Sequence, residues 1–360
     1  MGIDPALFQE NERTSSLGDE RKYASIGPLD CEAGGHLEQV SVAYESWGEL
    51  NADKDNAILI CHALSGDSHA IGWWDRLIGP GKAFDTDRYF VIGTNALGGC
   101  QGTTGPASPD LTGKPYQTKF PHVTIRDMVD AQAKLLDQLG IQTLLCTAGG
   151  SMGGMQALEW TVRHPGRVRK AFLTGTCAAH SAMQIGFNEA ARQAVMRDPK
   201  WRGGEYPQDD PPTDGLAVAR MVGHLSFLSE QAFAAKFGRH LQGHESMPHV
   251  LGVEFQIESY LNYQGDKFTK RFDANSLLYL TKALDRYDCR SLTGSQSEYL
   301  IVSFNSDWLY PTHQALELQR MAHEAGCKAV HVEIDAPHGH DAFLLEAEHQ
   351  TALLRAFLEN

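Results

Sequence analysis

The chain has little with which to enter a membrane or to be stapled by disulfides. No uninterrupted apolar run approaches the roughly 20 residues that a spanning helix needs. Residues 1–20 are polar and acidic, where a secretory leader would place a basic start before an apolar stretch. Neither export nor membrane insertion is expected, and a cytoplasmic location follows. The seven cysteines are odd in number, widely scattered and contain no C-x-x-C, which argues against a disulfide framework or a cysteine zinc site. Positive charge is scarce too: 31 Lys and Arg face 45 Asp and Glu, and the net charge of −14 repels nucleic acid and anionic lipid alike. No P-loop, dinucleotide fingerprint or internal repeat is present, so neither a bound cofactor nor a metal is expected.

What is present is the texture of a sheet covered by helices. Residues 56–62 and 89–94 are near-continuous apolar runs closed by polar residues or glycine, as expected of strands buried on both faces. Residues 124–139 read as a helix with apolar positions three to four apart, a capping pair in Thr124 and Asp127, and Gly140 as its stop. A strand over 143–147, a glycine-rich turn, a helix over 155–163 and a strand over 168–173 come next. This alternation predicts a mostly parallel sheet. Between residues 179 and 293 the β-branched runs disappear and helix-period segments such as 215–228 dominate, which predicts a helical lid insertion. The α/β pattern resumes with strands over 299–304 and 329–334 and helices over 312–325 and 342–358. The expected division is thus a core over 1–178 and 294–360, interrupted by the insertion over 179–293.

Chemistry enters at Gly149-Gly150-Ser151-Met152-Gly153. In a G-x-S-x-G turn between strand and helix, the serine takes a strained backbone that lifts its hydroxyl clear of the sheet, and glycines on both sides leave room for the turn. The strand before it and the helical run after it supply the context this motif requires. The fold class expected is therefore the α/β-hydrolase fold, with Ser151 as nucleophile. A serine needs a base to take its proton and a carboxylate to orient that base, in the chain order Ser, Asp, His. Asp307 follows the strand over 299–304, and His340 follows the last strand, with His338 as its competitor. The oxyanion hole is expected from the backbone N–H of Met152 and of Leu64, in the loop His62-Ala63-Leu64-Ser65-Gly66. His62 reads as a hydrogen-bonding support of that loop.

Several stretches together carry a family resemblance. Leu97-Gly98-Gly99-Cys100-Gln101-Gly102-Thr103-Thr104-Gly105-Pro106, Gly150-Ser151-Met152-Gly153-Gly154-Met155-Gln156-Ala157-Leu158-Glu159-Trp160 and Gly339-His340-Asp341-Ala342-Phe343 resemble the homoserine O-acetyltransferases of methionine biosynthesis. The resemblance runs from about Gly35 to the C-terminus and includes Trp73-Trp74 and Ile78-Gly79-Pro80-Gly81. It implies acetyl transfer from acetyl-CoA, a co-substrate, to the hydroxyl of L-homoserine through an acetyl-serine, in a homodimer with helical lids. It further implies that Arg220 binds the homoserine carboxylate and Asp341 the α-amino group. The family often carries tyrosine where Phe227 stands. Relatives with these motifs also use succinyl-CoA or acylate serine, and an esterase would need only the triad and oxyanion hole. The anionic coenzyme would call for a local cluster of cations, which the sequence does not single out.

Overall fold

The computed structural model describes residues 21–243 and 251–359. Residues 1–20, on which the reading of a missing leader rests, lie outside them. Eight strands form one sheet: β1 (Lys22–Asp30), β2 (His36–Trp47), β3 (Ala57–Cys61), β4 (Phe90–Thr94), β5 (Leu144–Gly150), β6 (Val168–Thr174), β7 (Glu298–Phe304) and β8 (Ala329–Ile334). Their order is β1-β2-β4-β3-β5-β6-β7-β8. From β4 to β8 every neighbouring pair is parallel, whereas β1 and β2 join antiparallel at one edge. This is the α/β-hydrolase architecture.

Side-chain alternation on the central strands explains why the sheet is buried on both sides. In β3, Leu59 and Cys61 enter one core, together with Leu173 of β6 and Ile301 of β7. Ile58 and Ile60 enter the other, with Phe172, Leu300 and Val302. The helix Ile125–Gln138 covers the first face. Its N-terminus carries the full capping box, Thr124 accepting from the Asp127 N–H while the Asp127 carboxylate accepts from the Thr124 N–H. Gly140, at φ +71°, takes the left-handed backbone that ends it.

Three local features differ from the sequence reading. The β1–β2 hairpin is absent from it because the strand pattern of β1 is broken by register shifts around Gly27, so its alternation does not read as a strand. The helix after Ser151 begins at Met152 rather than 155; Gly153 and Gly154 lower its propensity, and packing overrides them. The closing helix is two pieces, Ala342–Leu345 and Ala347–Glu359, parted at Glu346. The Glu346 carboxylate lies 3.2 Å from His338 Nε2.

Between β6 and β7 run the helices Ala182–Arg197, Thr213–Phe227, Glu230–Lys236, Gln256–Thr269 and Ala274–Arg286. They roof the end of the sheet at which β5, β6, β7 and β8 terminate. The roof is fastened to the loops after β7 and β8. Trp308 Nε1 donates to the Leu228 carbonyl at 3.1 Å, Ser229 Oγ donates to the Pro337 carbonyl, and Gly339 lies so close to the backbone of Phe227–Ser229 that a Cβ there would overlap it.

Candidate active site

Ser151 stands where β5 passes into the helix Met152–Arg163, with φ 55° and ψ −125°. Such a backbone is strained for a residue with a Cβ and persists only where its surroundings hold it. Here they do. The Ser151 N–H faces the carbonyls of Thr174 and Gly175 at 3.2 and 3.1 Å, and Thr176 Oγ1 donates to the Ser151 carbonyl at 2.8 Å. The flanking glycines are a steric requirement: a Cβ on Gly149 would overlap the Gly153 backbone, and one on Gly153 would overlap the Cys61 carbonyl of β3.

The loops after β7 and β8 bring Asp307 and His340 together. His340 Nδ1 is 2.7 Å from Asp307 Oδ2, and both groups are buried. Asp307 Oδ1 accepts from the backbone N–H groups of Leu309 and Tyr310, at 3.0 and 2.8 Å. The carboxylate is therefore held at three points, and it fixes the imidazole with its proton on Nδ1 and Nε2 free to act as a base. The two loops are also bonded to each other: the Gly339 N–H donates to Ser306 Oγ at 2.9 Å, and the Ala336 N–H to Asn305 Oδ1 at 3.0 Å. Ser151 and His340 line one cavity of about 440 Å³. His338 points elsewhere, to Glu346.

The proposed oxyanion donors have a visible support. His62 Nε2 accepts the Ala96 N–H at 2.9 Å, so the ring proton sits on Nδ1 and donates to the Ala63 carbonyl at 2.7 Å. Burial pushes the His62 imidazole below its ordinary pKa, which keeps it in this neutral form. The Gly66 N–H grips the same carbonyl at 2.9 Å. In a trans peptide C=O and N–H point oppositely, so pinning the Ala63 carbonyl aims the Leu64 N–H away from His62. Leu64 lines the Ser151 cavity. Met152 is the first residue of its helix, where an N–H has no acceptor within the helix and meets the positive end of the helix dipole.

Arg220, on the helix Thr213–Phe227, and Asp341, next to His340, face the same cavity. Burial lowers the Arg220 guanidinium to about 10, the nearby Arg271 pushing the same way and Asp341 opposing. It remains charged at neutral pH. Burial raises the Asp341 carboxyl above the usual carboxylate range, with His340 and Arg220 pulling it back. Among the described residues no ion pair joins the two, and Arg220 Nε is buried without a hydrogen-bond partner. Arg220 Nη1 reaches Ser65 Oγ at 3.4 Å, so the cavity wall holds a guanidinium and a carboxyl group that are not paired with each other and a guanidinium Nε left without a partner.

A family model for the α/β hydrolase fold matches residues 56–347. A homoserine O-acetyltransferase of Desulfotalea psychrophila is 49% identical over 354 residues, which cover 92% of this chain and 91% of that protein. The chain belongs to the homoserine O-acetyltransferase family. It is thereby an acyltransferase on the α/β-hydrolase fold. The crystal structure of the family member from Bacillus anthracis superposes with a TM-score of 0.89 at 29% identity, over 95% of this chain and 98% of that one. Esterase E22 superposes with a TM-score of 0.86 at 30% identity, over 94% and 99%. Homoserine O-acetyltransferases and esterases thus share one scaffold.

Reading the sequence does not reveal the cations of the cavity. Arg21, before β1, and Lys267 and Arg271, at the end of the helix Gln256–Thr269, join Arg220 in its lining. Arg271 Nη1 donates to the Ser65 carbonyl at 2.9 Å, next to Leu64. The available signal was the basic run Lys267, Lys270, Arg271 at the end of one helix, which reads on spelling as a solvated helix terminus.

Proposed function

We propose that this chain transfers an acetyl group from acetyl-CoA to the side-chain hydroxyl of L-homoserine in two steps, through an acetyl ester on Ser151. The observation that carries the reading is the joint presence, in one cavity, of Ser151, the bonded Asp307–His340 pair, and the separate charges of Arg220 and Asp341. In the first step His340 Nε2 takes the Ser151 proton, Oγ attacks the thioester carbonyl, and the N–H groups of Leu64 and Met152 hold the oxyanion. The carbon–sulfur bond breaks and His340 returns the proton to the departing thiolate. In the second step Arg220 grips the amino-acid carboxylate and Asp341 its ammonium. His340 then deprotonates the acceptor hydroxyl, which attacks the ester carbonyl; the bond from that carbon to Ser151 Oγ breaks, and His340 returns the proton to Oγ. The cluster of Arg21, Lys267 and Arg271 suits an anionic donor. The name carried by relatives 45–50% identical supports homoserine as acceptor. The same family likeness supports a role in methionine biosynthesis and a homodimer.

The likeness to esterase E22 gives a second reading, acetyl release to water. Intact-mass spectrometry after brief exposure to acetyl-CoA or succinyl-CoA names the acyl group by its added mass, and Ser151→Ala should abolish the label. Coenzyme A release that depends on added homoserine supports transfer; release at the same rate without it supports the esterase. Persistent labelling and turnover in Ser151→Ala would overturn the site.

A further inference from the structure

The turn that presents the Leu64 N–H is gripped from the helical insertion. The Gly66 N–H donates to the Ala63 carbonyl at 2.9 Å, so Ala63-Leu64-Ser65-Gly66 is a β-turn with Leu64 and Ser65 at its centre. The Ser65 carbonyl belongs to the same peptide as the Gly66 N–H, and it accepts from Arg271 Nη1 at 2.9 Å. Arg271 lies just past the helix Gln256–Thr269 and is fixed there. Its N–H donates to the Phe268 carbonyl at 3.1 Å, and its carbonyl accepts from Gln101 Nε2. Its guanidinium lies over the ring of buried Phe268, 5.5 Å from the centroid.

Three links therefore stand in series. The guanidinium donates to the Ser65 carbonyl, the Gly66 N–H of that peptide donates to the Ala63 carbonyl, and the N–H of the Ala63–Leu64 peptide belongs to a residue that lines the Ser151 cavity. Every peptide bond of the described residues is trans, so in each peptide C=O and N–H point opposite ways and the series runs in one direction. Burial opposes the Arg271 charge and Asp67 favours it, but a guanidinium keeps its proton and can only donate. The direction thus depends on no tautomer. Bonds in such a series polarise one another: a positive charge at the Ser65 oxygen makes the Gly66 N–H a better donor, and that bond in turn leaves the Leu64 N–H more positive. Among the described residues the Leu64 N–H has no acceptor within the fold.

We propose that Arg271 is a positioning residue for acyl transfer, whose charge reaches the reacting carbonyl oxygen through the Ser65–Gly66 and Ala63–Leu64 peptides. This rests on Ser151 being the acyl carrier and the Leu64 N–H an oxyanion donor. Negative charge develops on the same oxygen when the acyl-serine forms and when it is consumed, so the arginine favours both steps. It also makes the strength of a donor on a sheet loop depend on a residue of the insertion.

The test uses p-nitrophenyl acetate, a neutral acetyl donor without phosphates, so that weakened binding of an anionic donor cannot imitate the effect. Losing one oxyanion donor outright costs about 10²–10³ in rate, and polarisation along a series is worth about 10–30% of a bond; on that scale Arg271→Met should slow the p-nitrophenolate burst about two- to eightfold. Arg271→Lys keeps the charge and should recover part of the loss. In isotope-edited infrared spectra the ester carbonyl of acetyl-Ser151 should move to higher wavenumber in Arg271→Met, because weaker donors stretch that bond less; an arginine that only braces the fold would leave the band in place. An unmoved band, or a burst at the wild-type rate with the loss confined to acetyl-CoA, overturns the proposal while wild-type labelling of Ser151 stands. A wild-type protein that takes no label at Ser151 overturns the acyl-serine reading and this proposal with it.

Discussion

Exchanging Asp307 for asparagine separates the chemistry of the carboxylate from its structural work. Asp307 Oδ1 accepts two backbone N–H groups at 3.0 and 2.8 Å, and Oδ2 faces His340 Nδ1 at 2.7 Å. In Asp307→Asn the amide oxygen can keep both backbone bonds, and the amide nitrogen, a donor, replaces Oδ2. His340 Nδ1 must then become an acceptor, which moves the ring proton to Nε2, the atom that should receive the Ser151 proton. A histidine held in the wrong tautomer costs about 10⁴ in rate in triads of this kind, or about 5 kcal/mol of barrier. Stability should fall by no more than about 1 kcal/mol, because the backbone bonds survive. Asp307→Ala strips them as well and should cost about 1–3 kcal/mol. The assay is the single-turnover rate of Ser151 acetylation by quenched intact-mass spectrometry, with thermal unfolding alongside. Acetylation of Asp307→Asn within tenfold of wild type would refute the role of the Asp307–His340 bond.

Other perturbations act on separate parts of the site. Arg220→Lys and Asp341→Asn should raise KM for the amino-acid acceptor about 10- to 100-fold and leave the rate of Ser151 acetylation near wild type; equal losses in both steps would contradict an acceptor-binding role. His62→Ala releases the Ala63 carbonyl and leaves the buried Ala96 N–H unpaired, so it should destabilise the fold by about 1–3 kcal/mol and slow acetylation about tenfold. Undiminished acetylation in a folded variant would dismiss His62 as the support of the oxyanion loop. Burial opposes ionisation of Asp130, yet Arg163, 2.6 Å away, and His164 hold it at about 2. Its contribution to stability is present above the ordinary value of 3.8 and is lost as pH falls through about 2. The acid limb of Tm against pH should flatten in Asp130→Asn, and an unaltered limb would assign acid sensitivity elsewhere.

The parallel part of the sheet is legible in the sequence because β3, β5, β6 and β7 are buried on both faces and read as apolar runs. The edge hairpin is not, since β1 alternates around a bulge and meets solvent along much of its length. Ser151, Asp307 and His340 stand out because each lies just past the end of a strand, where this fold collects its functional groups. The signal is positional as much as chemical. Arg271 and Ser65 have no such signal: they lie far apart in the chain, and their bond exists only once the insertion has folded against the loop after β3. The cationic lining is hidden for the same reason, since Arg21 and Arg220 are distant in the chain from Lys267 and Arg271 and meet them only around the folded cavity.

The bonds that tie Leu228 and Ser229 to the loops bearing Asp307 and His340 make the ceiling of the cavity and the base of the reaction one mechanical part. Lifting that end of the ceiling would break the Trp308 and Ser229 bonds and pull on the imidazole. Any opening of the cavity that leaves the Asp307–His340 pair in place must therefore come from a part of the roof other than the Leu228–Ser229 end.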